Sequence, residues 1–112
     1  MPTTYKVLAQ NAPSTTSTVD LYTVPAATQT VVSTLIVCNR AAANASYNIA
    51  VRPAGAALSN QQYIAFNTVV PANDAITLTI GMTLGNTDVV TIQANTIGVN
   101  NLGFTLFGSE VT

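Results

Sequence analysis

The sequence predicts an all-β fold, a single antiparallel β-sandwich or jelly-roll-like domain of about eight strands that spans residues 1–112. Two observations support this fold class. β-branched and aromatic residues dominate the apolar runs, and such residues favour strands over helices. These runs recur at even spacing between Pro, Gly and Asn turns, whereas no apolar period of 3.6 residues persists for three turns.

Turn residues indicate where the predicted strands begin and end. Pro25 and Pro71 each suit the second position of a type I or II turn, and each turn leads into a Thr-rich apolar strand. Hairpin connections are predicted at 85–88 and 98–101, and segment 52–60 is long enough to cross between two sheets, as Greek-key wiring requires. The predicted strands span residues 4–10, 18–24, 28–39, 46–52, 62–69, 75–81, 88–94 and 102–108.

Alternating polarity assigns the two faces of most strands. Tyr47, Ile49 and Val51 alternate with small or polar neighbours, which predicts one face toward the core and one toward water. Phe66 and Phe104 also alternate with small or polar neighbours and are predicted to lie in the core. The same pattern is formed by Ile76, Leu78 and Ile80.

The run at 31–38 departs from this alternation, because apolar residues occupy both faces. We expect this strand to be central and covered on both sides, or to be covered by a neighbouring subunit. Cys38 lies within the run and is the only cysteine, so it is predicted to be a small buried hydrophobic residue rather than a reactive thiol or half of a disulfide.

The composition excludes most catalytic and binding classes. The chain has no histidine, so neither a Ser-His-Asp nor a Cys-His device is possible, and a zinc site built from His and Cys is not expected. Only 6% of residues are charged and the net charge is −1, so nucleic acid is not an expected partner. No membrane-spanning run, secretion signal or cofactor motif is predicted.

The four acidic residues could serve in turns, in a calcium site or in catalysis. Asp74 and Asp88 follow Asn or Thr in predicted turns, where a side-chain oxygen commonly accepts nearby backbone N–H groups. A calcium site assisted by backbone carbonyls and a pair of catalytic carboxylates are the alternatives to this turn role. The other two acids are Asp20 and Glu110.

Candidate interface residues are Arg40, Arg52, Tyr22 and Tyr63. Arg is enriched at protein interfaces and Lys is depleted there. A hairpin that pairs Arg40 with Ser46 would place the two arginines roughly 20 Å apart, so we expect separate anchors at subunit contacts rather than one anion site. A low net charge and a strand with two apolar faces also predict a homo-oligomer.

Several segments resemble small virion structural proteins of tailed bacteriophages, of the type found in phages that infect cyanobacteria. The similar segments are residues 21–26, 31–40, 49–53, 62–65 and 107–112. They are distributed over most of the chain, from residue 21 to residue 112, and consist of strand and turn sequences without an active-site signature.

The resemblance implies a non-enzymatic virion component, most simply a capsid decoration (cement) protein. Such a protein would form a homotrimer, bind the major capsid protein at the capsid surface, need no cofactor, and assemble in the cytoplasm of the bacterial host. A tail, baseplate or fibre-base component is the nearest alternative. A carbohydrate-binding module for host attachment, with Tyr5, Tyr22 or Tyr63 as stacking surfaces, is another.

Overall fold

Two antiparallel sheets packed face to face make up the computed structural model, which describes residues 2–79 and 81–112. Two short 3-10 turns, Pro53–Gly55 and Asn60–Gln62, lie between the fourth and fifth strands. The described part of the chain contains no helix long and apolar enough to cross a membrane. The strands are β1 (Thr3–Asn11), β2 (Val19–Thr23), β3 (Gln29–Asn39), β4 (Ala45–Arg52), β5 (Tyr63–Val70), β6 (Ala75–Leu78), β7 (Met82–Leu84), β8 (Val89–Ala94) and β9 (Leu102–Val111).

The strand order is that of a jelly roll, which confirms the predicted fold class. Sheet A has the order β1-β9-β3-β6, with β7 also paired to β3, and sheet B has the order β2-β8-β4-β5. Early strands therefore pair with late ones: β1 with β9, β2 with β8, β3 with β6, and β4 with β5. The chain behaves as one long hairpin wrapped into two layers, an arrangement that the jelly-roll class shares.

The core lies between the two sheets. The ring of Tyr47 on β4 meets the ring of Phe104 on β9 edge to face, with 5.8 Å between centroids, so one contact joins both layers. The core positions predicted for Tyr47, Ile49 and Phe104 are confirmed, since each is at most 2% exposed. Ile76 and Leu78 pack against the core as partly buried residues, and Ile80 lies outside the described residues.

Three predicted connections are wrong. Segment 52–60 does not cross between sheets, because β4 and β5 are neighbours in sheet B. The segments at 85–88 and 98–101 are not hairpins, because each joins strands of different sheets. Spacing alone cannot separate a tight turn within a sheet from a tight turn between two sheets.

Two turn and strand assignments also need correction. Pro25 and Pro71 precede the central turn residues instead of occupying the second turn position, and the left-handed residues are Ala27 (φ 56°) and Asn73 (φ 54°). The predicted strand at 75–81 is too long, because β6 ends at Leu78; β7 is a further strand that was not predicted, and both pair with β3. Gly81, with φ of 54°, immediately precedes β7.

A β-bulge in β3 explains why the alternation fails in the run at 31–38. The pairing of β3 with β9 shifts between Val32 and Thr34, so that Val32 faces the core and, beyond the bulge, Leu35 and Val37 do so. One extra residue moves every following side chain to the other face. Cys38 therefore points outward and is exposed, and the prediction that it is buried is wrong.

Gly108 is the residue of β9 that lies opposite this bulge. A Cβ atom at Gly108 would be 2.0 Å from the carbonyl oxygen of Val31, so only glycine allows the two backbones to approach this closely. The predicted strand at 102–108 was too short. Gly108 is in the interior of β9, which continues to Val111.

Candidate functional site

The outward side of sheet A is the most distinctive surface of the molecule. Tyr5 on β1, Ser109 on β9 and Val31 on β3 are in register across three adjacent strands. Val7 pairs with Phe107 in the next row. We call this surface face A and define it by the outward residues Tyr5, Val7, Val31, Ser33, Ile36, Cys38, Thr105, Phe107 and Ser109.

Face A exposes large apolar side chains. Tyr5 is 83% exposed, Val7 is 48% exposed and Val31 is 41% exposed. Together with Ser33, Phe107 and Ser109, Tyr5 and Val31 line a shallow depression of about 540 Å³. Single exposed apolar residues are normal on a protein surface, but a contiguous group of them across three strands is typical of an interaction site.

Face A contains neither an acidic nor a basic residue among its defining members. Charged residues lie beside it at both ends: Lys6 lines the depression near Tyr5, and Arg40 and Asp74 line a second depression with Cys38. The Lys6 ammonium is 2.8 Å from a carboxylate oxygen of Glu110, so its charge is paired. Contact with another protein through the end of face A that contains Tyr5 and Val31 would therefore not bury an unpaired charge, which is the costliest kind of desolvation.

Tyr22 is not an interface residue, which corrects its prediction. It is 8% exposed, and its hydroxyl donates a hydrogen bond to Glu110 and lies 2.9 Å from the Thr30 hydroxyl. Burial, followed by the Glu110 hydrogen bond, raises the pKa of Tyr22 to about 12, whereas the Lys6 contact lowers the pKa of Glu110. This network joins β2 of sheet B to three strands of sheet A, so its role is structural.

Arg52 lies on the outward side of sheet B, where its guanidinium is held by three partners. It donates hydrogen bonds to the Asp20 carboxylate (2.9 Å), the Thr91 hydroxyl (3.0 Å) and the Ala56 carbonyl (3.3 Å). Thr91 also donates to Asp20, at 3.1 Å. The three side chains form a closed set, and the part of Arg52 in a subunit contact stays a prediction.

Arg40 belongs to a different part of the molecule. It follows β3, and its guanidinium donates to the Asn100 carbonyl at 2.7 Å. The hairpin that was expected to pair Arg40 with Ser46 does not form, because β3 and β4 are in different sheets. The two arginines have separate hydrogen-bond partners, and the part of Arg40 in a subunit contact stays a prediction.

The edge strand β5 carries a second apolar group. Ile64, Phe66 and Val69 are 50%, 60% and 52% exposed, so the prediction that Phe66 lies in the core is wrong. Ala65 pairs with buried Ile49, which turns the neighbouring Phe66 outward. Tyr63 is partly buried and its ring meets the Phe66 ring edge to face at 5.1 Å between centroids.

A row of amide side chains crosses the outward side of sheet B. Gln93 donates to the Thr16 carbonyl (2.9 Å) and accepts from the Asn48 amide (3.0 Å), and Asn48 accepts from the backbone N–H of Asn67 (2.7 Å). These residues line a depression of about 340 Å³. Its neutral amide and hydroxyl groups suit a ligand rich in hydroxyl groups.

The remaining acids stabilise turns. Asp88 accepts hydrogen bonds from the backbone N–H groups of Ala54 (2.8 Å) and Gly85 (2.9 Å), and Asp74 accepts one from Ala75 (2.7 Å). This confirms the turn role predicted for both residues. Within residues 2–79 and 81–112, no three metal-ligating side chains come together.

No protein-family model, curated protein or solved structure matches this chain. The resemblance to phage virion proteins thus stays a prediction. Face A and the amide-lined depression are therefore the two surfaces that indicate a function.

Proposed function

We propose that this protein is a non-enzymatic structural component of a tailed-phage virion. Its role is that of a capsid decoration protein, which stabilises the head lattice by binding the major capsid protein as a homo-oligomer. The sequence resemblance implies a homotrimer. The observation that carries the proposal is face A, a broad sheet surface with exposed apolar residues and no charged member, which suits the contact between copies of the homo-oligomer.

The energetics of face A favour docking over solvation. Burial of apolar surface is favourable by about 25 cal/mol per Å². Tyr5 combines a large apolar ring with a hydroxyl that can form hydrogen bonds. Tyrosine is enriched at the binding hot spots of protein interfaces. Ser33, Thr105 and Ser109 add neutral hydrogen-bonding groups, which cost less to desolvate than charges.

The positions of the acids support a structural rather than a catalytic role. Asp20 is bonded to Arg52, Glu110 to Lys6 and Tyr22, and Asp88 to two backbone N–H groups. General acid and base catalysis needs a carboxyl group free to exchange a proton with a substrate in a cleft. Each of these acids instead holds a part of the sandwich in place.

The test is the stoichiometry of the protein in purified virions. Quantitative mass spectrometry against a labelled full-length standard gives the ratio of this protein to the major capsid protein. A copy number of the same order as that of the capsid subunits supports the decoration role. A handful of copies per particle overturns it, and localisation by electron microscopy then separates a tail, baseplate or fibre-base position from the head.

Binding of neutral carbohydrate is a second candidate function, favoured by the amide-lined depression on sheet B. The hydrogen-bonded row from Thr16 to Asn67 fixes the Asn48 and Gln93 amides in place before any ligand arrives, which lowers the entropic cost of binding. Tyr22 is buried and takes no part in stacking. A glycan array with the wild type and Asn48→Ala is the test, and the absence of binding to any neutral glycan by the wild type removes this candidate.

A further inference from the structure

We propose that face A is a self-association surface and that its occupant is a second copy of this chain. This inference deepens the proposed function and rests on its homo-oligomer: it assigns face A to the contact between copies and leaves the major capsid protein to another surface of the oligomer. The self-contact itself does not depend on a virion, so it can be tested on the isolated protein.

Charge distribution separates face A from the opposite side of the sandwich. In a two-fold contact between two copies, identical surfaces meet, and like charges placed opposite one another repel. Face A has no charged member, so it meets its own copy without this penalty. The outward side of sheet B carries Asp20 and Arg52, whose hydrogen-bonded pair would have to be desolvated in a similar contact.

The size of face A is sufficient for a stable contact. The defining residues of face A lie on β1, β9 and β3, and β6 and β7 share a fourth position beside β3 on the same side of sheet A. Strands of about nine residues at ~3.3 Å per residue and four strand positions at ~4.8 Å spacing cover roughly 30 by 19 Å. That footprint is about 570 Å² per copy, or about 1,100 Å² for the pair, which exceeds the ~1,000 Å² expected of a specific interface. The contact must use the whole outward side of sheet A, including β6 and β7, to reach this area.

The neutrality of face A also favours a copy over a foreign partner. Different proteins select one another largely through complementary charges, and these also speed their encounter. Face A offers no charge for such selection. A second copy needs none, because its apolar row of Tyr5 and Val31 recurs on the partner by symmetry.

Cys38 provides a reporter that is already in the chain. It is the only cysteine, it is exposed, and it lies on face A at the end opposite Val31. We expect its rate of reaction with a maleimide to fall at least about tenfold as the protein concentration rises through the range in which sedimentation shows association. In the double variant Cys38→Ser, Ser109→Cys, the thiol lies in the row between Tyr5 and Val31 and should be protected in the same range.

A matched pair of charged variants locates the contact. Val31 and Val69 are both half-exposed strand valines, one on face A and one on β5 of sheet B. Val31→Lys should abolish association and restore full thiol reactivity, whereas Val69→Lys should leave both unchanged. Circular dichroism and thermal melting establish that both variants are folded.

The outcomes decide the proposal. Association with protection of the thiol at 38 or at 109, lost in Val31→Lys alone, supports it. The measured mass then distinguishes a two-fold pair, in which face A meets itself, from a ring, in which it meets another surface of the next copy. A monomer at all concentrations, full reactivity of both thiols in the oligomer, or loss of association only in Val69→Lys overturns it. Virion stoichiometry tests the proposed function separately, so the two failures are distinguishable.

Discussion

The Tyr22 hydroxyl on sheet B donates a hydrogen bond to the Glu110 carboxylate on sheet A, and so joins the second strand of the chain to the last. Lys6 holds the other oxygen of the same carboxylate at 2.8 Å. The sandwich is otherwise held together mainly by apolar packing, and this small network fixes one end of it by polar contacts.

Removal of the Tyr22 hydroxyl should destabilise the fold. We expect Tyr22→Phe to lower the free energy of unfolding by about 2 kcal/mol, because a hydrogen bond to a charged acceptor is lost inside the sandwich. Urea denaturation followed by circular dichroism measures the change. Tyr63→Phe is the control and should change stability by less than about 0.5 kcal/mol, since Tyr63 is only partly buried. Equal losses in the two variants would contradict the structural role of the network.

The pKa directions in this network define a pH window of stability. The pKa of Glu110 is lowered below its usual 4.5, so its contribution is complete above pH 4.5 and is lost as the pH falls through the lowered value. The pKa of Tyr22 is raised from 10 to about 12, so its contribution is complete below pH 10 and is lost as the pH rises toward 12. We therefore expect the thermal midpoint to be flat between about pH 5 and 9.

Glu110→Gln tests the acidic limb of this window. The variant should melt roughly 4 °C below the wild type at pH 7, because the charge-assisted bonds to Lys6 and Tyr22 are weakened. The two midpoints should converge as the pH falls and the wild-type carboxylate becomes protonated. Asp20→Asn, on the partly exposed pair with Arg52, is the control. A constant difference from pH 7 to the acid limit would show that the Glu110 charge does not contribute.

Strand positions and the jelly-roll class were predictable from the sequence, because β-branched runs and turn residues are local signals. The pairing of strands was not, because, apart from β4 with β5, the pairs join strands that are remote in the chain. The bulge in β3 shows where periodicity misleads. The loss of alternation at 31–38 was visible, but its cause was a change of face between Val32 and Leu35, which also carried Cys38 outward.

The candidate site was predictable only in part. The run at 31–38 predicted a strand that is either central and covered on both sides or covered by a neighbouring subunit, and Val31 and Cys38 lie on face A. Tyr5 and Phe107 join them only through the register of β1, β9 and β3, which no local pattern encodes. Tyr22 was assigned to an interface because nothing in the sequence indicates that Glu110, 88 residues away, accepts its hydroxyl.

Gly108 offers a direct test of the close approach between β3 and β9. We expect Gly108→Ala to cost at least about 2 kcal/mol, because its Cβ would overlap the Val31 carbonyl and force the strands apart. Gly103→Ala on the same strand is the control, since a Cβ there would have no neighbour within 4 Å. It should be neutral or slightly stabilising. Chemical denaturation of both variants is the measurement, and comparable effects would be evidence against the bulge.

The final prediction concerns Asp88, whose carboxylate joins two loops that are remote in sequence. One oxygen accepts from the Ala54 N–H after β4 and the other accepts from the Gly85 N–H after β7. We expect Asp88→Ala to lower the free energy of unfolding by about 2 kcal/mol, because two backbone donors lose a charged acceptor. Asp74→Ala removes a single hydrogen bond to the adjacent Ala75, so its cost should be about half as large.

Urea denaturation compares the stabilities of the two variants, and hydrogen exchange should become faster at the Ala54 and Gly85 amides in Asp88→Ala alone. A larger loss in Asp74→Ala, or unchanged exchange at both amides in Asp88→Ala, would show that this carboxylate does not hold the loops together.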